Sequence, residues 1–263
     1  MKNQTENLRY NNVKYIASCS GGIDSVATII LAHEHNEPLD EIIFAEVMFD
    51  ENISGELPEH IDFIKNKLKP LCESWGYKFT ILHSNKTYLD CFFAKRKRSR
   101  DKERIGRLSG FPMQLKCIIN KECKVKPIID FKKKLKNYID YIGIAIEEPE
   151  RLERLHNRKN QISLIEKYNF TEKDAYNLCQ KYNLLSPIYI YQTRGGCWFC
   201  PNQKNNQLKY LRKNHNNLWQ KLLELEKTEN IIGKYFRGFN EEKLSDLDRK
   251  FKYNEEHQLF EYN

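Results

Sequence analysis

No stretch of the 263 residues carries the roughly 18 consecutive apolar positions that a membrane-spanning helix needs. The opening residues, MKNQTENLRYNN, also lack the apolar core of a secretory signal. These two absences predict a soluble, cytoplasmic chain with no membrane partner. That compartment is reducing, so the eight cysteines read as free thiols or metal ligands before they read as disulfides. There is no internal repeat, which excludes a solenoid, and no Gly/Ser-rich linker that would mark a flexible hinge.

What is present is a long, charged, basic chain. Lys plus Arg number 44 against 36 Asp plus Glu, a formal charge of +8 that favours an anionic partner such as a nucleotide or a nucleic acid. The length suffices for one large domain or two unequal ones. Short apolar runs, VKYIASC, EIIFAEVMF, YKFTILH and YIGIAI, alternate with stretches long enough for crossover helices. This predicts an α/β fold whose mostly parallel sheet is sandwiched by helices, Rossmann-like in layout. Ile61, Ile64, Leu68, Leu71, Cys72 and Trp75 recur at helical spacing and predict a helix face covering the sheet, which Pro70 would kink or end early. From about residue 150 the pattern turns helical. Thr171 with Asp174 reads as an N-cap, and Ala175, Leu178, Cys179 and Tyr182 share one face. The expected organisation is therefore a nucleotide-binding α/β domain over 1–150 and a helical C-terminal region over 151–263. The pattern leaves the oligomeric state open.

The segment CSGGIDS, Cys19 to Ser25, joins the first apolar run to the helical pattern VATIILAHEH. It lacks the lysine and second glycine of a Walker A loop and the G-x-G-x-x-G of a dinucleotide fold. Gly21 and Gly22 still let the backbone approach an anion, Ser20 and Ser25 supply hydroxyls, and a helix starting near Ile23 and Asp24 aims its free amides at the same spot. A pyrophosphate fits such a turn; the plainer reading is an ordinary glycine turn.

At these residues the sequence resembles the PP-loop ATP pyrophosphatase superfamily, whose S-G-G-x-D-S loop grips the β and γ phosphates of ATP. The resemblance extends to the branch of phosphoadenosine phosphosulfate reductases and their sulfurtransferase-like relatives. It runs through GFPMQLKC (110–117), KVKPI (124–128), YIGIAIEEPERL (141–152) and TRGGCWFCPNQ (193–203), within residues 13 to 225. It implies ATP or a sulfonucleotide as ligand, Mg²⁺ with the phosphates, and an adenine nucleotide alpha hydrolase-like fold.

Cys197 and Cys200 form a C-x-x-C after an Arg-Gly-Gly turn, and Cys117 and Cys123 precede Lys124. Four thiolates can close one tetrahedral zinc site or bind an iron–sulfur cluster, and the spacing does not choose between them. The resemblance implies a cluster, with Cys123 departing most from the relatives' spacing. The alternative is two small buried residues at 117 and 123 and a redox pair or zinc knuckle at 197 and 200. Cys19, Cys72, Cys91 and Cys179 are assigned to packing.

Asp50, at the end of the second apolar run, sits where an open α/β sheet presents ligands and is a candidate contact to ribose or adenine; a turn or helix cap explains it equally. Within the blocks that carry the resemblance, Lys124, Arg151 and Arg194 are candidates to neutralise phosphate or sulfur-acid oxygens. Glu147 and Glu148 rank below them as magnesium or substrate contacts, with helix capping the simpler account. The run KRKRSRDKERIGR, residues 95–107, holds eight basic and two acidic side chains. It suits a nucleic-acid backbone or a solvated loop, because it lacks interleaved aromatics. KKKLK at 132–136 reads as the outer face of a helix.

The implied reaction is adenylation of a substrate oxygen at the α phosphate, with Asp24, Lys124, Arg151 and Arg194 as the catalytic set, followed by replacement of the activated oxygen by sulfur. A cysteine desulfurase is the corresponding sulfur-supplying partner. The rival enzyme is a reductase of adenylyl sulfate or its 3'-phosphorylated form. Such reductases carry a nucleophilic cysteine near the chain end, whereas here the last cysteine is Cys200. A third reading is a nucleotide-sensing or nucleic-acid-binding module without turnover.

Overall fold

Buried β-branched runs become the sheet. The computed structural model describes residues 13–114, 116–192 and 195–257. In chain order its strands are β1 (Lys14–Cys19), β2 (Glu41–Glu46), β3 (Lys78–His83), β4 (Leu108–Gly110), β5 (Tyr138–Ile142), β6 (Gln161–Ile162) and β7 (Ile231–Gly233). The chain divides into two compact units. The first comprises the chain up to Glu46, Leu57–His83 and Lys124–Ile190; the second comprises Val47–Glu56, Ser84–Cys123 and the chain from Tyr191.

In the first unit five strands form a wholly parallel sheet in the order β3-β2-β1-β5-β6. β1 is central, with Ile16 between Glu41 of β2 and Asp140 of β5. All six residues of β2 are buried, as a strand covered on both faces requires. The helix Ile23–Glu34 packs on β1 and β5 and against the helices Leu164–Lys167 and Glu172–Lys181. The expected face holds: Ile64, Leu68 and Cys72 are fully buried, with Ile61, Leu71 and Trp75 packed beside them. Thr171 caps its helix in a reciprocal box with Asp174. The α/β architecture read from the sequence is thus the one observed.

Several expectations need correction. The boundary near residue 150 falls inside the first unit, because β6 extends the sheet beyond β5 and Ala175, Leu178 and Cys179 enter its core. The strand expected from YIGIAI is β5, Tyr138–Ile142, so Gly143 to Ile146 lie beyond it. Buried Asp140 masks that strand in the sequence. It accepts from Lys132 Nζ at 2.5 Å and from Ser18 Oγ at 2.9 Å, and this pairing is what lets an acid occupy a covered strand. Pro70 does not end its helix. The chain runs from Pro58–Asp62 through a π-helical stretch, Phe63–Leu68, into Lys69–Ser74. The wider turn before the proline accommodates the missing amide donor. The same device, Asn120–Val125, precedes Pro127.

The second unit has little sheet: β4 and β7 pair in parallel, Leu108 with Ile231 and Gly110 with Gly233. Its helices are Tyr88–Phe92, Asn205–Asn214, Asn216–Glu226 and Leu244–Glu256. Its core is aromatic. Phe49 lies 4.7 Å from Trp198 and 5.3 Å from Tyr88 between ring centres, and Tyr88 lies 4.3 Å from Phe199. Offset and tilted rings at such distances attract beyond their burial.

Candidate nucleotide loop and thiol site

The turn after β1 is held by its own side chains. Ser25 Oγ accepts from the Ser20 amide at 3.1 Å and donates to the Gly22 carbonyl at 2.8 Å. Gly21 adopts φ +72°, and a Cβ there would meet Ile64 at 2.8 Å and His60 at 2.9 Å. Glycine is therefore required twice over, by conformation and by space. Buried His60 braces the loop from behind, its Nε2 donating to the Ser20 carbonyl at 3.1 Å while Nδ1 meets Ser186 Oγ at 2.7 Å.

The loop amides point to weak, exchangeable acceptors. Gly21 N–H faces Cys19 Sγ at 3.3 Å and Gly22 N–H faces Ser20 Oγ at 3.3 Å. Ile23 N–H, in the first turn of the helix, donates to Tyr189 Oη at 3.2 Å. An anion in the turn would thus exchange one sulfur and two hydroxyl contacts for charge-assisted bonds, which are about twice as strong.

Strand order decides where the turn opens. β2 and β3 lie to one side of β1 and β5 and β6 to the other, so the order reverses at β1 and β5. The carboxyl end of such a switch point is where open α/β sheets place ligands. Gly143, just past β5, touches the turn: a Cβ there would sit 2.6 Å from the Asp24 carbonyl carbon and oxygen. Sequence reading missed Gly143, His60 and Tyr189. Only Gly143 left a local trace, a glycine directly after an apolar strand.

Of the charged candidates, Asp24, Lys124, Arg151, Glu147 and Glu148 belong to the electrostatic surroundings of this turn. Burial first, then the charges of Glu148 and Glu172, push the Asp24 carboxyl up to about 6, while Arg151 pulls it down. Lys124 is within electrostatic reach of Cys19, whose thiol burial pushes up. Arg151 Nη1 clasps both carboxylate oxygens of Glu148, the residue preceding the helix Pro149–His156. Glu147 accepts from the Glu172 amide at 2.6 Å, a capping contact. Arg194 lies outside the described residues. Asp50 belongs to the second unit, where its Oδ1 accepts from Asn52 N–H at 2.9 Å and Ile53 N–H at 2.8 Å in a turn.

All four expected metal ligands, Cys117, Cys123, Cys197 and Cys200, lie in the second unit, and so does Cys91. The C-x-x-C is a tight turn in which Cys200 N–H donates to the Cys197 carbonyl at 2.9 Å. Gln203 Nε2 holds the same carbonyl at 3.0 Å. Trp198, between the two cysteines, is fully buried and donates from Nε1 to the Ser54 carbonyl at 2.8 Å. Cys123 is buried with its Sγ 3.9 Å from that of Cys91, and Cys197 is within its electrostatic reach. Among the described residues no three His, Cys, Asp or Glu side chains already stand together as a metal-holding group. The surroundings nonetheless fit a thiolate-bound metal in kind. Tyr88 Oη is fully buried without a hydrogen-bond partner, and Cys117 and Cys91 are within its electrostatic reach. A hydroxyl in that position is a donor waiting for a sulfur acceptor.

The basic run is an exposed excursion closed at its base. Arg96 N–H donates to the Arg107 carbonyl and Gly106 N–H to the Arg96 carbonyl, both at 2.9 Å. Lys95 to Arg98, Arg100, Lys102 and Arg104 are exposed, while Arg107 turns inward to the Ile231 carbonyl at 2.6 Å. Among the described residues no helix is long and apolar enough to cross a membrane.

No family model matches the chain, and no curated protein matches its sequence. Among solved structures, the chain is similar to phosphoadenylyl-sulfate (PAPS) reductase from Candida auris in its phosphate complex. That match has 9% identity and a TM-score of 0.45, covering 70% of this chain and 81% of that one. It is also similar to the U34-tRNA thiolase NcsA from Methanococcus maripaludis with its 4Fe-4S cluster, at 14% identity and a TM-score of 0.40. This second match covers 92% of this chain and 73% of the other.

Proposed function

We propose that the chain is an ATP-dependent adenylating enzyme of the PP-loop type that prepares an acceptor for thiolation. The carrying observation is the S-G-G-I-D-S turn at the switch point of a parallel sheet, with Gly143 set against it to leave the backbone bare. In this reading the β and γ phosphates occupy the amides of Gly21 and Gly22 and the helix start at Ile23, with the hydroxyls of Ser20 and Ser25 beside them. Lys124 and Arg151 offset the growing negative charge, and Arg194 is their third partner. Asp24 stays largely ionised above pH 6 and faces the cation that accompanies the triphosphate; Mg²⁺ there would lower its proton affinity further.

The chemistry balances simply. An acceptor oxygen forms a bond to the α phosphorus as the bond to pyrophosphate breaks. Hydrosulfide then adds to the activated carbon, and AMP departs with the oxygen and its bonding pair. The chain positions the groups and stabilises charge. An iron–sulfur cluster or zinc at Cys117, Cys123, Cys197 and Cys200 would supply a soft site able to hold sulfur. The exposed cations of 95–104 suit a nucleic-acid acceptor, and a cysteine desulfurase is the matching sulfur source.

Pyrophosphate release from ATP, measured with transfer RNA, with DNA and with neither, tests the reading. Release that depends on a nucleic acid and disappears in Gly21→Val is the expected result. Sulfite formed from a sulfonucleotide would replace this reading by reduction, and ATP binding without turnover would replace it by sensing. Failure to bind any adenine nucleotide would overturn all three.

A further inference from the structure

We propose that Cys91 and Cys123 are adjacent ligands of a single thiophilic divalent ion, such as zinc, so that Cys91 is part of the thiol site and not of the packing. The proposal is independent of the nucleotide reading, because every residue it uses lies in the second unit.

The first observation is a distance. The two sulfurs stand 3.9 Å apart. Two thiolates on one tetrahedral ion, with metal–sulfur bonds of about 2.3 Å, lie about 3.8 Å from each other. In a cubane cluster each cysteine binds its own iron, and two such sulfurs are separated by two metal–sulfur bonds and a metal–metal edge. The observed spacing is that of a thiol–thiol hydrogen bond and equally admits one shared ion, whereas two irons of a cubane would hold the sulfurs farther apart.

The second is how the pair is held. Cys91 sits on the helix Tyr88–Phe92, whose start is fixed by the reciprocal cap of Thr87 and Asp90. Cys123 sits in the π-helical turn Asn120–Val125, anchored where Ser84 Oγ donates to the Glu122 carbonyl at 2.9 Å. Two independently fixed elements therefore bring the sulfurs together. The sulfurs are also shielded, with Cys91 6% and Cys123 0% exposed.

The third is the polar company. Lys86, paired with Glu122 at 3.0 Å, is within electrostatic reach of both thiols and offsets thiolate charge. The orphaned Tyr88 hydroxyl gains its missing acceptor if Cys91 becomes a metal-bound thiolate. The C-x-x-C turn supplies the remaining corners, Cys197 already being within reach of Cys123. Since no three groups are yet gathered, the ion itself would draw that turn in.

The test uses the full chain, stripped by chelator and titrated anaerobically with Co²⁺, whose absorption reports tetrahedral thiolate ligation. One equivalent should bind with intense visible bands. Cys91→Ser and Cys123→Ser should each weaken binding at least about 100-fold and diminish the thiolate charge-transfer band, and Tyr88→Phe should weaken it about 10-fold. Cys72→Ser, in the first unit, should change nothing. Should the serine variants fail to fold, alkylation of the unaltered chain decides: zinc must protect Cys91 and Cys123 together. An unchanged titration in folded Cys91→Ser would overturn the proposal, as would Cys91 alkylated while the metal stays bound. So would an as-isolated four-iron, four-sulfide centre that survives loss of Cys91.

Discussion

The two units bury different matter. The first packs Val26, Ile29, Ile30, Ile42, Phe44 and their neighbours around a parallel sheet, while the second packs Phe49, Tyr88, Phe92, Trp198 and Phe199 against one another. Branched aliphatic side chains fill the flat space between sheet and helices and make a stiff platform, which suits a site built from backbone amides. Large rings fill a region with little sheet and leave sulfur atoms among them, which suits a site whose ligands are soft side chains. Each core is matched to the kind of group it displays.

Removing the ring that anchors the C-x-x-C should have the largest effect. Trp198→Ala is expected to cost about 4 kcal/mol through the cavity and the lost bond to Ser54. Hydrogen exchange should locate the loss in the second unit; equal loss of protection in β1 and β2 would break the contrast between the cores. Next comes Gly143→Val, which forces a side chain against the Asp24 backbone and should cost about 3 kcal/mol in urea unfolding. ATP binding by calorimetry should vanish with it, since the turn must move.

Asp24 gives a pH signature of opposite sign to that of most carboxylates. Because its folded pKa is raised to about 6, the folded chain holds more protons than the unfolded one between pH 4 and 6. Stability contributed by this group therefore falls as pH rises through that window. Asp24→Asn should flatten the slope and gain about 1–2 kcal/mol at pH 8 after allowance for solvent screening, read from urea midpoints. The smallest effect is that of Tyr189→Phe, which removes the hydroxyl from Ile23 N–H. It should cost about 1 kcal/mol of stability yet tighten ATP binding, because the amide no longer has a competitor. Weaker ATP binding in this variant would place the phosphates elsewhere.

Much of the first unit was legible because its determinants are local. Three strands announce themselves as short, largely apolar runs, and Thr171 with Asp174 three residues on spells a cap. β5 was misplaced because its acid, Asp140, is neutralised by a lysine that periodicity cannot pair with it. The same limit hid Tyr189 and His60, which reach the turn across 166 and 40 positions. The contact between Cys91 and Cys123 was hidden because the two lie 32 residues apart. Pro70 misled because a widened helical turn absorbs the missing donor, and local propensity says nothing of that option.

The interleaving of segments bears on how this chain is made and handled. The polypeptide passes between the units at residues 47, 57, 84, 124 and 191, so neither exists as a contiguous stretch. A fragment ending near 150 would lack β6 and the helix Glu172–Lys181 that packs on Ile23–Glu34, and would leave the edge of β5 unpaired. On the ribosome, likewise, the first unit stays unfinished until Ile190 has emerged, and nascent β1 must wait for most of translation.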